Sequence, residues 1–148
     1  MSVEDTIKAA MFREKHGAVG VYIMPYDAYV INEENTKRRP DGFPSWIRYW
    51  KGLSAYDKPS VPCSVTGNEL IIDQEYEPLN EFLRLALNES KKGYADGAHV
   101  RLEGIEGIPD GVYITPMEHE QNTKFGEKIL LRKGSILVQE VDPININN

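Results

Sequence analysis

The residues with the most chemistry between them lie in one segment, Thr36 to Lys58. Lys37, Arg38, Arg39, Arg48, Lys51 and Lys58 are set against only Asp41 and Asp57 there, a net charge of +4 in a chain that totals −6. The remaining 125 residues therefore carry −10. Phe43, Trp46, Tyr49, Trp50 and Tyr56 fall in the same segment, both tryptophans among them. Planar rings interleaved with cations suit stacking on bases combined with phosphate contact. The same residue types anchor protein–protein interfaces, where Trp, Tyr and Arg carry much of the binding energy. A structural reading competes with both: Trp46 and Trp50 are four apart, so one helix face would dock them into the core. Arg38, Arg39, Trp46, Arg48, Tyr49 and Trp50 are the candidate binding residues.

The other reactive side chains are scattered. His16 falls at the end of a helix and suits a dipole partner there. His99 opens a strand, which places it at a sheet rim. His119 lies between Glu118 and Glu120, which suits weak metal binding, yet neighbours on a strand point to opposite faces and do not chelate together. A metal site from His99, His119 and a carboxylate requires the fold to unite them. Cys63 is the only cysteine. That excludes an internal disulfide, a Cys-rich zinc site and a Cys-x-x-Cys redox pair. With no histidine near it in sequence, it reads as a small buried hydrophobe in a reducing compartment. Glu33-Glu34 and Glu75 with Glu77 read as solvated faces. There is no nucleophile elbow, phosphate loop or dinucleotide fingerprint. Gly104 to Gly111 is glycine-rich but lies between strands, without the helix N-terminus that receives a phosphate. No catalytic residue, metal or cofactor is assigned.

The elements that must position these residues follow from periodicity and capping. Ser2 with Asp5 resembles a capping box, and Val3, Ile7, Ala10 and Met11 recur at helical spacing, so a first helix is predicted from Val3 to His16, closed by Gly17. Ala18 to Met24 is apolar on both faces and reads as a central strand. Tyr26 to Asn32 gives a second strand. Arg39-Pro40-Asp41-Gly42 is a turn sequence. Ser45 caps a short helix carrying Trp46, Ile47, Tyr49 and Trp50, and Ser54 to Pro62 reads as irregular. Ser64 to Asp73 reads as a hairpin turning at Gly67-Asn68. Glu77 to Lys92, with Leu79, Phe82, Leu83 and Ala86 on one stripe, is the best-marked helix. Strands follow at His99 to Glu103, Gly111 to Thr115, Glu127 to Leu131 and Ser135 to Val141, the last two joined by Arg132-Lys133-Gly134. Residues 143 to 148 read as a flexible tail.

Helices and strands in mixed order give a single α+β domain over residues 1–148: a mainly antiparallel sheet of six to eight strands against two or three helices. A length of 148 residues, 41% hydrophobic and 27% charged, is ordinary for one globular domain. The acidic total argues against a general DNA coat protein. The N-terminus lacks a secretion signal, and the longest uncharged, mostly apolar stretch, Gly17 to Tyr26, is too short to cross a bilayer, so a cytoplasmic protein without a membrane partner is expected. Glu118, Glu120, Glu127, Glu140 and Asp142 add an acidic cluster late in the chain; set opposite the basic aromatic patch, it would make the molecule dipolar. The first functional expectation is a small acidic non-enzymatic binding protein (adaptor, inhibitor or assembly component) with a protein partner. Such a compact chain also suits an accessory protein of a phage or mobile element. A second is a small enzyme or binding module for a phosphorylated, nucleotide or nucleic-acid ligand, with an Arg clamp and His99 or His119 as acid–base. A third is a structural homo-oligomer in which Ser135 to Val141 pairs between subunits.

Overall fold

A computed structural model describes residues 3–34, 39–72 and 93–141. In chain order the elements are α1 (Val3–His16), β1 (Val21–Ile23), β2 (Ala28–Glu33), α2 (Trp46–Ser54), β3 (Ser60–Pro62), β4 (Glu69–Ile71), β5 (Ala95–Leu102), β6 (Gly111–Glu118), the single-turn helix α3 (His119–Asn122), β7 (Lys128–Leu131) and β8 (Ile136–Gln139). The expected helix Glu77 to Lys92 and the expected tail lie outside the described residues, as do Lys37 and Arg38.

Six strands form one sheet in the order β1-β8-β6-β5-β2-β7, and β3 and β4 form a separate pair. Every pairing between these strands is antiparallel. The architecture is the expected α+β domain. It differs from the sequence reading in three places, the first being Ser60–Pro62, expected to be irregular, which is strand β3 and pairs with β4. Arg132 to Gly134 does not fold β7 onto β8: β7 pairs with β2, while β8 lies between β1 and β6. The chain turns a corner there, matched by a second corner between β1 and β2. The two corners are bonded to each other, Met24 N–H to the Ser135 carbonyl and Gly134 N–H to the Met24 carbonyl, both at 2.9 Å. The ribbon β7–β8 thus reaches from β2 to β6 and curls the sheet. In consequence β8 has both edges occupied and is not a strand left open for pairing between subunits. The apolar run Ala18 to Met24 is not central either. Only Val21–Ile23 is strand, it ends the sheet, and Val21 and Ile23 are exposed.

The middle of the sheet is buried on both faces. Alternating residues of β5 point to opposite sides: Ala98, Val100 and Leu102 join Tyr113 and Met117 beneath, while Gly97 and His99 lie under α2 beside Ile114. Ser45 caps α2, its hydroxyl accepting the Arg48 N–H at 3.3 Å, and Ala55 at φ 58° ends it. A Cβ at position 97 would stand 2.5 Å from both the Ile47 nitrogen and the Trp46 carbonyl carbon. Those are backbone atoms of α2, which cannot swing aside. Glycine at 97 therefore sets how closely the helix lies on the sheet. A second close approach, at Gly52, lets α1 and Phe43 reach α2: a Cβ there would meet the Phe43 ring at 2.8 Å and the Asp5 carbonyl at 3.4 Å.

Gly97→Ala is expected to lower stability by about 1–3 kcal/mol, the range for overpacking a rigid contact. Urea denaturation is the check, and a midpoint equal to that of the native chain contradicts this packing.

Candidate functional site

Among the described residues, the candidate binding segment does not form one surface. Trp46 is 8% exposed, and Tyr49 and Trp50 are at 0%. The polar atoms of Tyr49 and Trp50 are spent on backbone groups of the sheet and its end. The Trp50 Nε1–H donates to the Ile136 carbonyl at 2.9 Å, and the Tyr49 hydroxyl donates to the Gln139 carbonyl at 2.6 Å while accepting from the Val141 N–H at 3.2 Å. Tyr49 is the hub of a ring cluster, with Trp46, Phe12 and Phe43 at centroid distances of 5.0, 5.3 and 5.6 Å. Burial pushes its phenol pKa up. Arg48 turns toward α1, where its guanidinium lies 3.4 Å from the Asp5 carboxylate, and the Lys51 ammonium lies 3.9 Å from the same group. Of the six candidates, Arg39 is exposed and Arg38 falls outside the described residues. The expected recognition patch is corrected to a core helix: aromatic burial outweighs surface display, and the α2 cations are matched by a buried carboxylate from α1.

The histidines take three different roles. His16 bonds through Nε2 to Asp41 at 2.8 Å, and hydrogen bonds from His16 and Lys15 hold the Asp41 carboxyl below its usual pKa. His99 is not at the rim. It is 5% exposed, stacked edge-on against Trp46 at 4.7 Å, with Nε2 3.2 Å from Glu140. Its buried Nδ1 has no hydrogen-bond partner among the described residues. Burial drives its pKa down to about 4, against a smaller opposing pull from Glu33, itself paired with Arg101. His119 begins α3 rather than continuing a strand. Its Nδ1 is 2.7 Å from Asp96, which also accepts from Asn122 at 3.2 Å, and the ring is half exposed. This orients an imidazole, while the guanidinium of Arg48, one of the arginines of the expected clamp, is engaged with Asp5. Among the described residues no group of three His, Cys, Asp or Glu is placed to hold a metal.

A cavity of about 190 Å³ opens between the β3–β4 turn and the β7–β8 corner, lined by Tyr56, Cys63, Ser64, Pro116, Arg132 and Ile136 among others. Two of its polar wall groups are bonded within the protein. The Ser64 hydroxyl bonds that of Thr115 at 2.6 Å, and the Cys63 sulfur accepts from the N–H groups of Val65, Thr66 and Glu118 at 3.3–3.5 Å. Cys63 is buried, as the sequence suggested.

The feature that sequence reasoning missed is on α1. The spacing of Val3, Ile7 and Met11 marks the helix correctly, but this stripe faces water: the three are 76%, 53% and 64% exposed. The buried face is Asp5, Ala9 and Phe12. Phe12 docks on Tyr49 and Phe43, and Asp5 meets Arg48 and Lys51, which fixes the rotation of α1 about its axis. A signal was present, since Phe12 is the largest apolar side chain of the helix and Asp5 stands in register with it. No helix among the described residues is long and apolar enough to cross a membrane. Comparison with family models, curated proteins and solved structures finds no match to this chain.

The depressed pKa of His99 makes stability pH-dependent. The folded chain holds the ring neutral down to about pH 4, whereas the unfolded ring titrates near its ordinary value of 6.5. Stability from this group is complete above the unfolded value and is lost as pH falls from there toward about 4, by on the order of 2–3 kcal/mol. His99→Phe keeps a ring against Trp46 and should remove that share of the acid loss. Overlapping urea-midpoint profiles for the two proteins between about pH 7 and about pH 4 would contradict the assignment.

Proposed function

We propose that this protein is a small acidic, non-catalytic binding protein whose contact surface is the outer face of α1. One observation carries the reading. Val3, Ile7 and Met11 stand exposed at i, i+4 and i+8 on a helix whose opposite face is anchored by Asp5, Ala9 and Phe12. The helix cannot roll to hide the stripe without breaking the Asp5 ion pairs and drawing Phe12 from the ring cluster. Contiguous exposed apolar groups rimmed by polar ones mark interaction sites, and anchors one helical turn apart are the pattern of helix-in-groove recognition. Glu4 and Lys8 border the stripe. The matching partner is a protein that offers an apolar surface with charges of both signs at its edge.

The test is capture from an extract of the cells that make the protein, comparing the native chain with the Ile7→Lys, Met11→Glu double variant. Both positions are exposed, so thermal stability should change by no more than about 0.5 kcal/mol per site. The captured partner should fall at least about tenfold, since losing an interface anchor costs more than about 1 kcal/mol. Undiminished capture by a folded double variant refutes the α1 surface.

A further inference from the structure

We infer that the outer face of α1 docks a second copy of this chain, antiparallel, about a two-fold axis at Ile7; this rests on the α1 reading above. The stripe is self-complementary about that residue. Val3 and Met11 each lie four residues from Ile7, so a two-fold axis there sets Ile7 on Ile7 and Val3 on Met11. Every exposed apolar side chain of the strip then meets another. An isologous contact of this kind closes at two copies and leaves no free end for a fibre.

The charges beside the stripe obey the same symmetry. Glu4 and Lys8 flank it on one side, 3.6 Å apart within the helix. A two-fold axis lying in the contact plane keeps each flank on its own side. Glu4 of one copy then lies two residues of rise from Lys8 of the other, about 3 Å along the axis. Each carboxylate gains a second ammonium and each ammonium a second carboxylate, two attractions set against the single Lys8–Lys8 approach that the same axis creates, also about 3 Å along the helix. Antiparallel helices also set opposite dipole ends side by side. A different partner protein has no reason to share this symmetry, whereas a second copy carries it by identity. A contact of one helix face belongs to the small class of interfaces, below ~1,200 Å², so the dimer is weak and populated only at high protein concentration.

Sedimentation of the purified full chain from about 10 to about 500 µM tests this across that range. The weight-average mass should rise toward twice the monomer value. Ile7→Glu, which sets two carboxylates on the axis, should leave a monomer throughout. Lys8→Glu should weaken association by about tenfold or more, as like charges face each other. The Glu4→Lys, Lys8→Glu swap, which preserves both the internal and the cross-copy pairs, should restore it. A monomer at the highest concentration overturns the second copy as partner, as does a dimer that survives Ile7→Glu or a swap that fails to restore association. None of these results touches the extract experiment, where loss of capture by the double variant still identifies α1 as a surface for another protein.

Discussion

The fold depends on a carbon atom that is absent. With no Cβ at position 97, the backbone of α2 lies directly on β5. That contact places Trp46 against His99 and brings Trp50 and Tyr49 within hydrogen-bonding reach of the β8 carbonyls. Tyr49 in turn gives Phe12 a ring to pack on, and Arg48 and Lys51 give Asp5 its partners. These two contacts set the rotation of α1, and the rotation decides which side chains water sees. The exposed stripe is thus the last consequence of a close approach made on the far side of α2.

Charge follows the same chain of causes. A basic segment in an acidic protein invites an anionic ligand, but two of its cations are turned inward. Arg48 and Lys51 face a carboxylate that is itself 1% exposed. Charges are held inside a protein at a high desolvation cost, and they remain there when opposite charge and hydrogen bonds surround them. The third member of this network comes from a different helix. Its contribution is therefore specificity as much as strength: it selects one packing of α1 on α2.

Much of this was legible in the sequence, and the failures share a cause. The α+β class, the bounds of α1, the Ser45 cap of α2, the buried Cys63 and most strands follow from periodicity and turn chemistry, which are local. The direction in which a periodic face points is not local. Trp46 and Trp50 at i and i+4 read equally well as an anchor pair or as filling. Val3, Ile7 and Met11 carry the period of a buried stripe while Asp5 and Phe12 occupy the interior. Only the partners of Asp5, more than forty residues away in the chain, decide between those faces. The same holds for β8: its apolar run marks a strand, but whether its edges are open depends on β1 and β6, which lie far from it in sequence. His99 illustrates the point for chemistry. Its position in a strand could be read, whereas its burial under α2 could not.

The direct test of this account uses the two tryptophans, which are the only ones in the chain and both belong to α2. Steady-state emission with acrylamide quenching of the native protein reports whether that helix is seated on the sheet. Emission shifted to the blue, with quenching several-fold weaker than in the urea-unfolded chain, is the predicted result. Emission and quenching equal to those of the unfolded chain would place the indoles in water and contradict the seating of α2.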